Sequence, residues 1–327
     1  MAVYTHIDDT QLGTFLADYD VGILLSAKGI AEGVENTNYM VRTTGGTFIL
    51  TLYEQRVATH DLPFFIGLME HCAASGLAVP RPIRRKDGHQ LGELVGRQAA
   101  MVSFLDGVAV RRPRPSHCLS VGNALAQFHQ TAAPFSGHRD NALGPAAWAG
   151  LFDQSRSEAE RVRPGLTDMV DEVLPQLSGA AAGGWPMELP QGVIHADLFP
   201  DNVFFIGDAL SGLIDFYFAC RDSLAYDLAI LLNAWCFEDD GQFNVTKGRA
   251  LVSGYTAVRA LKPAEAQALP LLCRGAALRF LLTRLYDWVR VPAGALVTPK
   301  DPKPYAERLA FHMTVESASE YGLDVGQ

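Results

Sequence analysis

The sequence predicts an α+β, bilobal architecture: a small antiparallel β-sheet with one helix over residues 1–105, then a mainly helical lobe over 106–327. Three observations carry this reading. Short β-rich runs separated by Gly-containing turns fill the first hundred residues. Helical periodicity takes over after a Pro-punctuated linker, and a group of short strands interrupts the helices around 193–214. A chain of 327 residues suits two domains or one large one, and with 48% apolar residues it has ample material for a core.

Residues 21–25 and 38–42 read as strands on either side of a Gly-containing loop. Gly45-Gly46 predicts a tight turn into a strand over 47–53. Asp61 can cap a helix that has Pro63 in its first turn and runs to about Ser75. Pro80-Arg81-Pro82 ends that unit, and Asp87-Gly88 marks another turn leading towards a strand over 98–104. Beyond Asp106-Gly107 the character changes. Pro113 and Pro115 punctuate the linker, and 116–130 is amphipathic with Leu119, Leu125 and Phe128 on or near one face. Two further helices are expected across 146–177, followed by a loop at Ala180-Ala181-Ala182-Gly183-Gly184. Residues 193–194, 203–206 and 213–214 read as short strands, and helices follow from about 224 onward, including 271–289. No repeat or heptad pattern is present.

The net charge of −9 argues against a nucleic-acid partner, because no basic excess exists to neutralise phosphates. It is compatible with a nucleotide, which needs only a few local contacts. The five cysteines are scattered, odd in number and without a CxxC pair, as expected of a reducing compartment and of a chain with no zinc site. The N-terminal residues have neither a basic start nor an apolar run, so no signal peptide is expected. The most apolar stretch, 228–237, is interrupted by Asn233 and is too short to span a bilayer. A soluble, cytoplasmic protein without a membrane partner is the expectation.

The chemistry concentrates in His195-Ala196-Asp197-Leu198-Phe199-Pro200-Asp201-Asn202 and in Asp215. A His-x-Asp on its own is an ordinary capped turn. Here an asparagine follows on the same loop, and a Gly-Asp-Ala-Leu-Ser-Gly turn folds the next strand back, bringing Asp215 beside Asn202. Phosphoryl transfer to a hydroxyl needs a carboxylate to accept the proton and oxygen ligands to hold magnesium on the phosphates. Asp197 suits the first task, and Asn202 with Asp215 suits the second. His195 can brace the loop by hydrogen bonding. Lys28-Gly29-Ile30-Ala31-Glu32-Gly33 lies between the first two strands, where glycines let backbone amides approach phosphates.

These motifs, His195-Ala196-Asp197-Leu198 through Asn202 and then Ile214-Asp215-Phe216, resemble the protein-kinase-like fold in its aminoglycoside phosphotransferase and choline kinase branch. The resemblance implies ATP and Mg2+ as cofactors, Asp197 as catalytic base beside His195, and Asn202 and Asp215 as metal ligands. It implies a nucleotide site at Gly29, Gly33 and Asn36, with adenine against the backbone of Ser103, Phe104 and Leu105. It also implies Asp227 as a brace for the catalytic loop. One departure stands out: the third strand has Thr51 where kinase-like folds carry a phosphate-binding lysine. Lys28, Arg42 and Arg56 are the candidate substitutes, and Asp61 and Glu70 the candidates for the acid that would pair with such a lysine.

A narrower resemblance, to the homoserine kinases of this branch, rests on several blocks. They are Gly33-Val34-Glu35-Asn36-Thr37-Asn38-Tyr39, Leu50-Thr51-Leu52-Tyr53-Glu54, Leu62-Pro63-Phe64-Phe65, Ile214-Asp215-Phe216-Tyr217-Phe218-Ala219 and Leu232-Asn233-Ala234-Trp235-Cys236. It implies ATP-dependent phosphorylation of L-homoserine to O-phospho-L-homoserine in threonine biosynthesis. A zwitterionic amino acid needs a cation for its carboxylate and acceptors for its ammonium group. Arg279, Arg284 and Asp287, with Asn233 and Trp235, are the candidate substrate contacts. Two alternatives stay open: a kinase for another small hydroxylated amine (an aminoglycoside, choline, ethanolamine or hydroxylysine), and a nucleotide-binding pseudokinase.

Overall fold

The computed structural model describes residues 5–30, 36–54, 57–178, 184–290 and 299–323. Its first element is a helix, α1 (Asp9–Leu16), where the sequence reading foresaw mainly strands. Asp8 accepts from the Gln11 N–H at 2.8 Å, and the Gln11 side chain accepts from the Asp8 N–H at 3.0 Å. This reciprocal cap is legible as D-x-x-Q and nucleates the helix.

Five strands follow in the N-terminal part: β1 (Leu24–Ile30), β2 (Thr37–Thr43), β3 (Gly46–Leu52), then helix α2 (Leu62–Ala74), β4 (Leu91–Leu94) and β5 (Arg97–Ser103). All neighbours are antiparallel, in the order β1-β2-β3-β5-β4. β1 begins later than the expected 21–25, because Gly22 takes φ +83° and the Ile23 N–H is held by the Thr44 hydroxyl. Nor does the Asp87-Gly88 turn lead directly into the strand expected at 98–104. β4 intervenes, joined to β5 by Val95-Gly96 with both residues at positive φ. That is the turn geometry matching the twist of a two-residue hairpin, in this case with a valine that gave no turn signal.

The sheet has two unlike faces, as the period of two requires. Tyr39, Val41, Leu50, Leu52, Ala99 and Met101 form one small core with Leu12, Phe15 and Leu16 of α1. The opposite face, through Ala100, Val102 and Tyr53, joins α2 in a second core that continues into the helical part.

After β5 the chain crosses to β6 (Val108–Ala109), which pairs with a strand nearly a hundred residues later. Helices α3 (Pro115–Ala132), α4 (Pro145–Asp153), α5 (Arg156–Val162) and α6 (Leu166–Leu177) follow, three helices where two were expected across 146–177. Strands β7 (Gln191–Ile194), β8 (Val203–Ile206), β9 (Ala209–Leu213) and β10 (Cys220–Ser223) then form two small ladders, β6-β8-β9 and β10-β7. Helices α7 (Leu224–Trp235), α8 (Val245–Thr256), α9 (Pro263–Arg290) and α10 (Lys303–Thr314) complete the chain. Among the described residues no helix is long and apolar enough to cross a membrane.

α3 and α8 cross at backbone contact through two glycines. A Cβ at Gly122 would collide with the Leu251 carbonyl, and one at Gly254 with the Leu119 carbonyl. Because both obstacles are backbone, no rotamer change relieves them. Gly254→Ala should therefore cost at least the upper part of the usual ~1–3 kcal/mol for overpacking, outweighing the ~1 kcal/mol gained in helix propensity. A lower urea midpoint checks this, and an unchanged midpoint would show that the crossing yields.

Candidate active site

The segment linking β7 to β8 turns sharply, with Ala196 at φ +64°. A non-glycine residue there is uncommon and must be held by its surroundings. The surroundings do hold it. Buried Asp227, in the first turn of α7, accepts from the His195 N–H at 2.7 Å and from the Ala196 N–H at 2.9 Å. The Ala196 carbonyl accepts from Arg279 Nη1 at 2.7 Å. The Asp197 carbonyl accepts from the Asn202 carboxamide at 2.7 Å, and the Leu198 carbonyl from Trp235 Nε1 at 2.8 Å. Four side chains from α7, α9 and the loop itself thus fix the backbone on both sides of Asp197.

His195 is fully buried, and burial pushes its pKa down to about 4, so the ring is neutral near pH 7. Its Nδ1 accepts from the Asp197 N–H at 3.3 Å, which leaves the proton on Nε2 for the Ile214 carbonyl at 3.0 Å. Both ring nitrogens are committed, so His195 ties the loop to the strand end that carries Asp215. Behind Asp227 runs a buried relay. His129 Nε2 donates to it at 3.1 Å, the Tyr255 hydroxyl donates to His129 Nδ1 at 2.9 Å, and Arg259 donates to Tyr255 while paired with buried Glu265. Burial alone would raise the Asp227 pKa, but the hydrogen bonds it accepts from His129 and from the His195 N–H win and hold it below the usual carboxylate value.

Asp197 and Asp215 are both half-buried and face a common corner. Asp215 sits at φ +66°, two residues after the end of β9. Burial raises its pKa to about 6, with Asp201 adding to the effect. Asp197 is pushed well above the carboxylate range, first by burial and then by Asp215. The Asn202 carboxamide also donates to Asp197 Oδ2 at 3.1 Å. Lys300 lies across the corner, 3.1 Å from Asp201, and its charge lowers both pKa values.

A divalent cation fits this corner. Burial disfavours the charge of both carboxylates, and Asp215 disfavours that of Asp197 further, so a bound cation would offset the cost of ionising them; carboxylate and carboxamide oxygens are suitable hard ligands. Among the described residues no group of three or more His, Cys, Asp and Glu is assembled. Magnesium needs no more than one or two protein ligands, waters and substrate phosphates completing its shell.

The other expected site residues are distributed as follows. Gly29 is on β1 opposite Tyr39, while Gly33 lies outside the described residues. Asn36 is buried, and its Oδ1 accepts from the Glu54 N–H at 3.3 Å. Ser103 and Phe104 leave β5 beside β3, with the Phe104 N–H on the Thr47 carbonyl at 3.4 Å, and Leu105 packs against Gly212 of β9. The 103–105 stretch therefore bridges the two parts of the chain. Thr51 is buried and donates to Asn38 Oδ1 at 2.7 Å. Asp61 is occupied by Arg139 at 2.7 Å and Glu70 by Arg84 at 2.6 Å, so neither offers the missing acid. Lys28 is exposed and shares its sheet face with Met40 and Ile49, one row from Thr51. Arg42 lies a row further away on that face, and Arg56 is outside the described residues.

The substrate candidates separate. Asn233 is fully buried, accepting from His312 Nε2 at 3.1 Å and donating to the Ala229 and Cys273 carbonyls, so it belongs to the helical core. Trp235 is likewise fully buried and spends its only donor on Leu198. Arg279 is committed to Ala196 through Nη1, with its Nε buried and unpartnered. Arg284 and Asp287 are half-buried further along α9. Trp235 and Arg279 thus act on the loop through its backbone, a role their positions 37 and 83 residues away gave no means of foreseeing.

A model of the phosphotransferase enzyme family matches residues 26–261. Homoserine kinase of Methylobacterium sp. (strain 4-46) is 62% identical over 322 residues, covering 98% of this chain and 99% of that protein. Homoserine kinase of Allorhizobium ampelinum is 60% identical with the same coverage of both. Among solved structures, amicoumacin kinase hAmiN in complex with AMP-PNP, Ca2+ and Ami superimposes with a TM-score of 0.66 at 15% identity, over 94% of this chain and 92% of that one. Spectinomycin phosphotransferase APH(9)-Ia in complex with ADP and spectinomycin gives 0.62 at 13% identity, over 97% and 98%. These two likenesses show a common protein-kinase-like fold.

Proposed function

The chain belongs to the phosphotransferase enzyme family, and from that premise we propose that it is an ATP-dependent homoserine kinase, making O-phospho-L-homoserine on the way to threonine. The observation that carries the substrate is identity of about 60% with homoserine kinases over nearly the whole chain. Residues 1–105 and 106–327 are taken as its two lobes, with the nucleotide between them and its adenine against the 103–105 backbone.

In this reading Asp197 accepts the hydroxyl proton of homoserine as that oxygen attacks the γ-phosphorus, and ADP leaves on the opposite side. Asn202 and Asp215 hold magnesium, which when bound neutralises the phosphate oxygens and orients them for in-line transfer. Asp227, Arg279 and Trp235 keep the loop in place, so little reorganisation accompanies the reaction. A complete base-and-metal set has no use in a nucleotide-binding pseudokinase. The cations around Asp197, namely Arg279, Arg284 and Lys300, repel a polycationic aminoglycoside or a choline headgroup. A cytoplasmic location is part of the proposal, since ATP and biosynthetic intermediates are found there.

Protons compete with magnesium for Asp215. Its pKa is raised to about 6, so the ionised form that binds metal is lost as pH falls through that value. A bound cation favours the ionised form and moves the loss to lower pH. The kcat/KM for ATP should therefore show an acidic limb near pH 6 that shifts downward as the magnesium concentration is raised. A limb indifferent to magnesium would count against Asp215 as ligand. For the substrate, ADP release should be compared with homoserine, choline and kanamycin as acceptors. Homoserine is expected to be strongly preferred, and absence of homoserine-dependent ADP release would sink the proposal.

A further inference from the structure

Beside the catalytic loop, two guanidinium groups lie against one tyrosine ring. Arg284 of α9 has its Cζ 4.4 Å from the Tyr305 ring centroid, and Arg308 of α10 has its Cζ 4.5 Å from the same centroid. Arg308 also lies over Phe237, at 5.1 Å. Tyr305 is fully buried, and its hydroxyl has no hydrogen-bond partner. Elsewhere Arg84, Arg85, Arg139, Arg156 and Arg259 each rest on a carboxylate. Among the described residues Arg284 and Arg308 form no such pair; Arg284 donates only to the Asp301 carbonyl, at 3.0 Å. Burial lowers the Arg284 pKa, and the neighbouring charge of Arg308 lowers it further. Adjacent, partly desolvated like charges are costly unless an anion joins them.

This pair adjoins the chemistry. The charges of Asp197 and Asp201 act on Arg284. Phe199, from the loop itself, packs on Phe280 at 4.8 Å and on Tyr305 at 6.4 Å, and carries the Lys300 ammonium at 5.3 Å. An aromatic floor therefore runs from the loop to the two guanidinium groups.

We propose that Arg284 and Arg308 together bind the α-carboxylate of the amino-acid acceptor, holding it by the end opposite the hydroxyl that Asp197 serves. The proposal rests on the homoserine reading above. Guanidinium forks match a carboxylate in plane and in spacing, which a lysine ammonium does not. Homoserine separates its hydroxyl oxygen from its carboxylate carbon by about 5 Å when extended, so a fixed carboxylate also fixes the attacking oxygen. Arg279 is unsuited to the task, because its Nη1 is already engaged by Ala196.

The test is kinetic, with Arg284→Met and Arg308→Gln assayed against homoserine, its carboxylate-free analogue 2-amino-1,4-butanediol, and ATP. Each variant is expected to raise the KM for homoserine by about 10- to 100-fold, the range for losing a charge-assisted hydrogen bond. The KM for ATP should be unchanged, and the KM for the diol should be the same in wild type and variants. Arg284→Lys, which keeps the charge and loses the fork, should give an intermediate KM for homoserine and covers the case that Arg284→Met does not fold. The proposal is overturned if folded variants keep the wild-type KM for homoserine or if the diol's KM rises in step with it. It is also overturned if only the KM for ATP rises, which would give the guanidinium groups to a phosphate. Wild-type protein that releases no ADP with homoserine overturns the functional reading and this site with it.

Discussion

Replacing Asp197 by alanine is expected to lower kcat by roughly a thousandfold or more while ATP binding, followed by calorimetry, persists. The magnitude is that of a positioned general base removed from the transition state. The loop should survive the change. Asn202 donates to the Asp197 carbonyl at 2.7 Å as well as to the carboxylate, and Asp227, Arg279 and Trp235 hold the neighbouring backbone groups, none of which uses the Asp197 side chain. Truncation also removes one of the charges that make Asp197 and Asp215 difficult to ionise together, so magnesium should bind Asp215 no worse than before. The expected signature is a large fall in kcat with nearly unchanged stability and nucleotide affinity. A variant within tenfold of wild-type kcat would remove Asp197 from the role of base.

Asp227→Ala should act in the opposite way, through structure. Its carboxylate is fully buried and accepts from the His195 and Ala196 N–H groups and from His129. Alanine leaves three donors without acceptors where water does not reach. At about 1–3 kcal/mol for each buried unsatisfied group, the expected destabilisation is about 3 kcal/mol or more. The left-handed turn at Ala196 loses its clamp at the same time, so kcat should fall together with stability. Trp235→Phe, which removes one donor to the Leu198 carbonyl, is expected to be milder in both respects. Chemical denaturation of both variants beside their kcat values checks the ordering. A fully stable but inactive Asp227→Ala would assign Asp227 a direct part in the chemistry instead.

The approach of Asp215 to the loop from His195 to Asn202 was legible because its signal is local: a few polar residues at fixed spacing between apolar strands, with a turn that returns the next strand to them. The sheet was legible for the same reason, through Gly45-Gly46 and alternating burial along β2. What could not be read depends on distant contacts or on weaker local cues. Trp235 and Arg279 looked like pocket residues, since an indole and a guanidinium serve as well to hold a distant carbonyl as to line a site. The burial of Asn233 among the helices was equally out of reach, because its partner His312 comes 79 residues later. Val95 carries a hairpin turn against its own preference, and only pairing with β5 makes that visible. α1 was a different case: the Asp8–Gln11 cap was present in the sequence and outweighed by the strand-like composition around it.

Thr51 is the position where the charge pattern of this site departs most from the family's general design. It is buried against Asn38, and the positive charges near the two carboxylates come from α9 and the 299–323 segment, through Arg279 and Lys300.

The central claim is transfer of phosphate from ATP to the side-chain oxygen of homoserine at Asp197. It is tested most directly by phosphorus NMR of the product made from ATP, magnesium and L-homoserine, run beside the Asp197→Ala variant. A phosphate monoester whose phosphorus couples to the γ-methylene protons, formed by wild type and lacking in the variant, is the predicted outcome. Phosphate found only as inorganic phosphate, or an ester formed equally by both proteins, would contradict it.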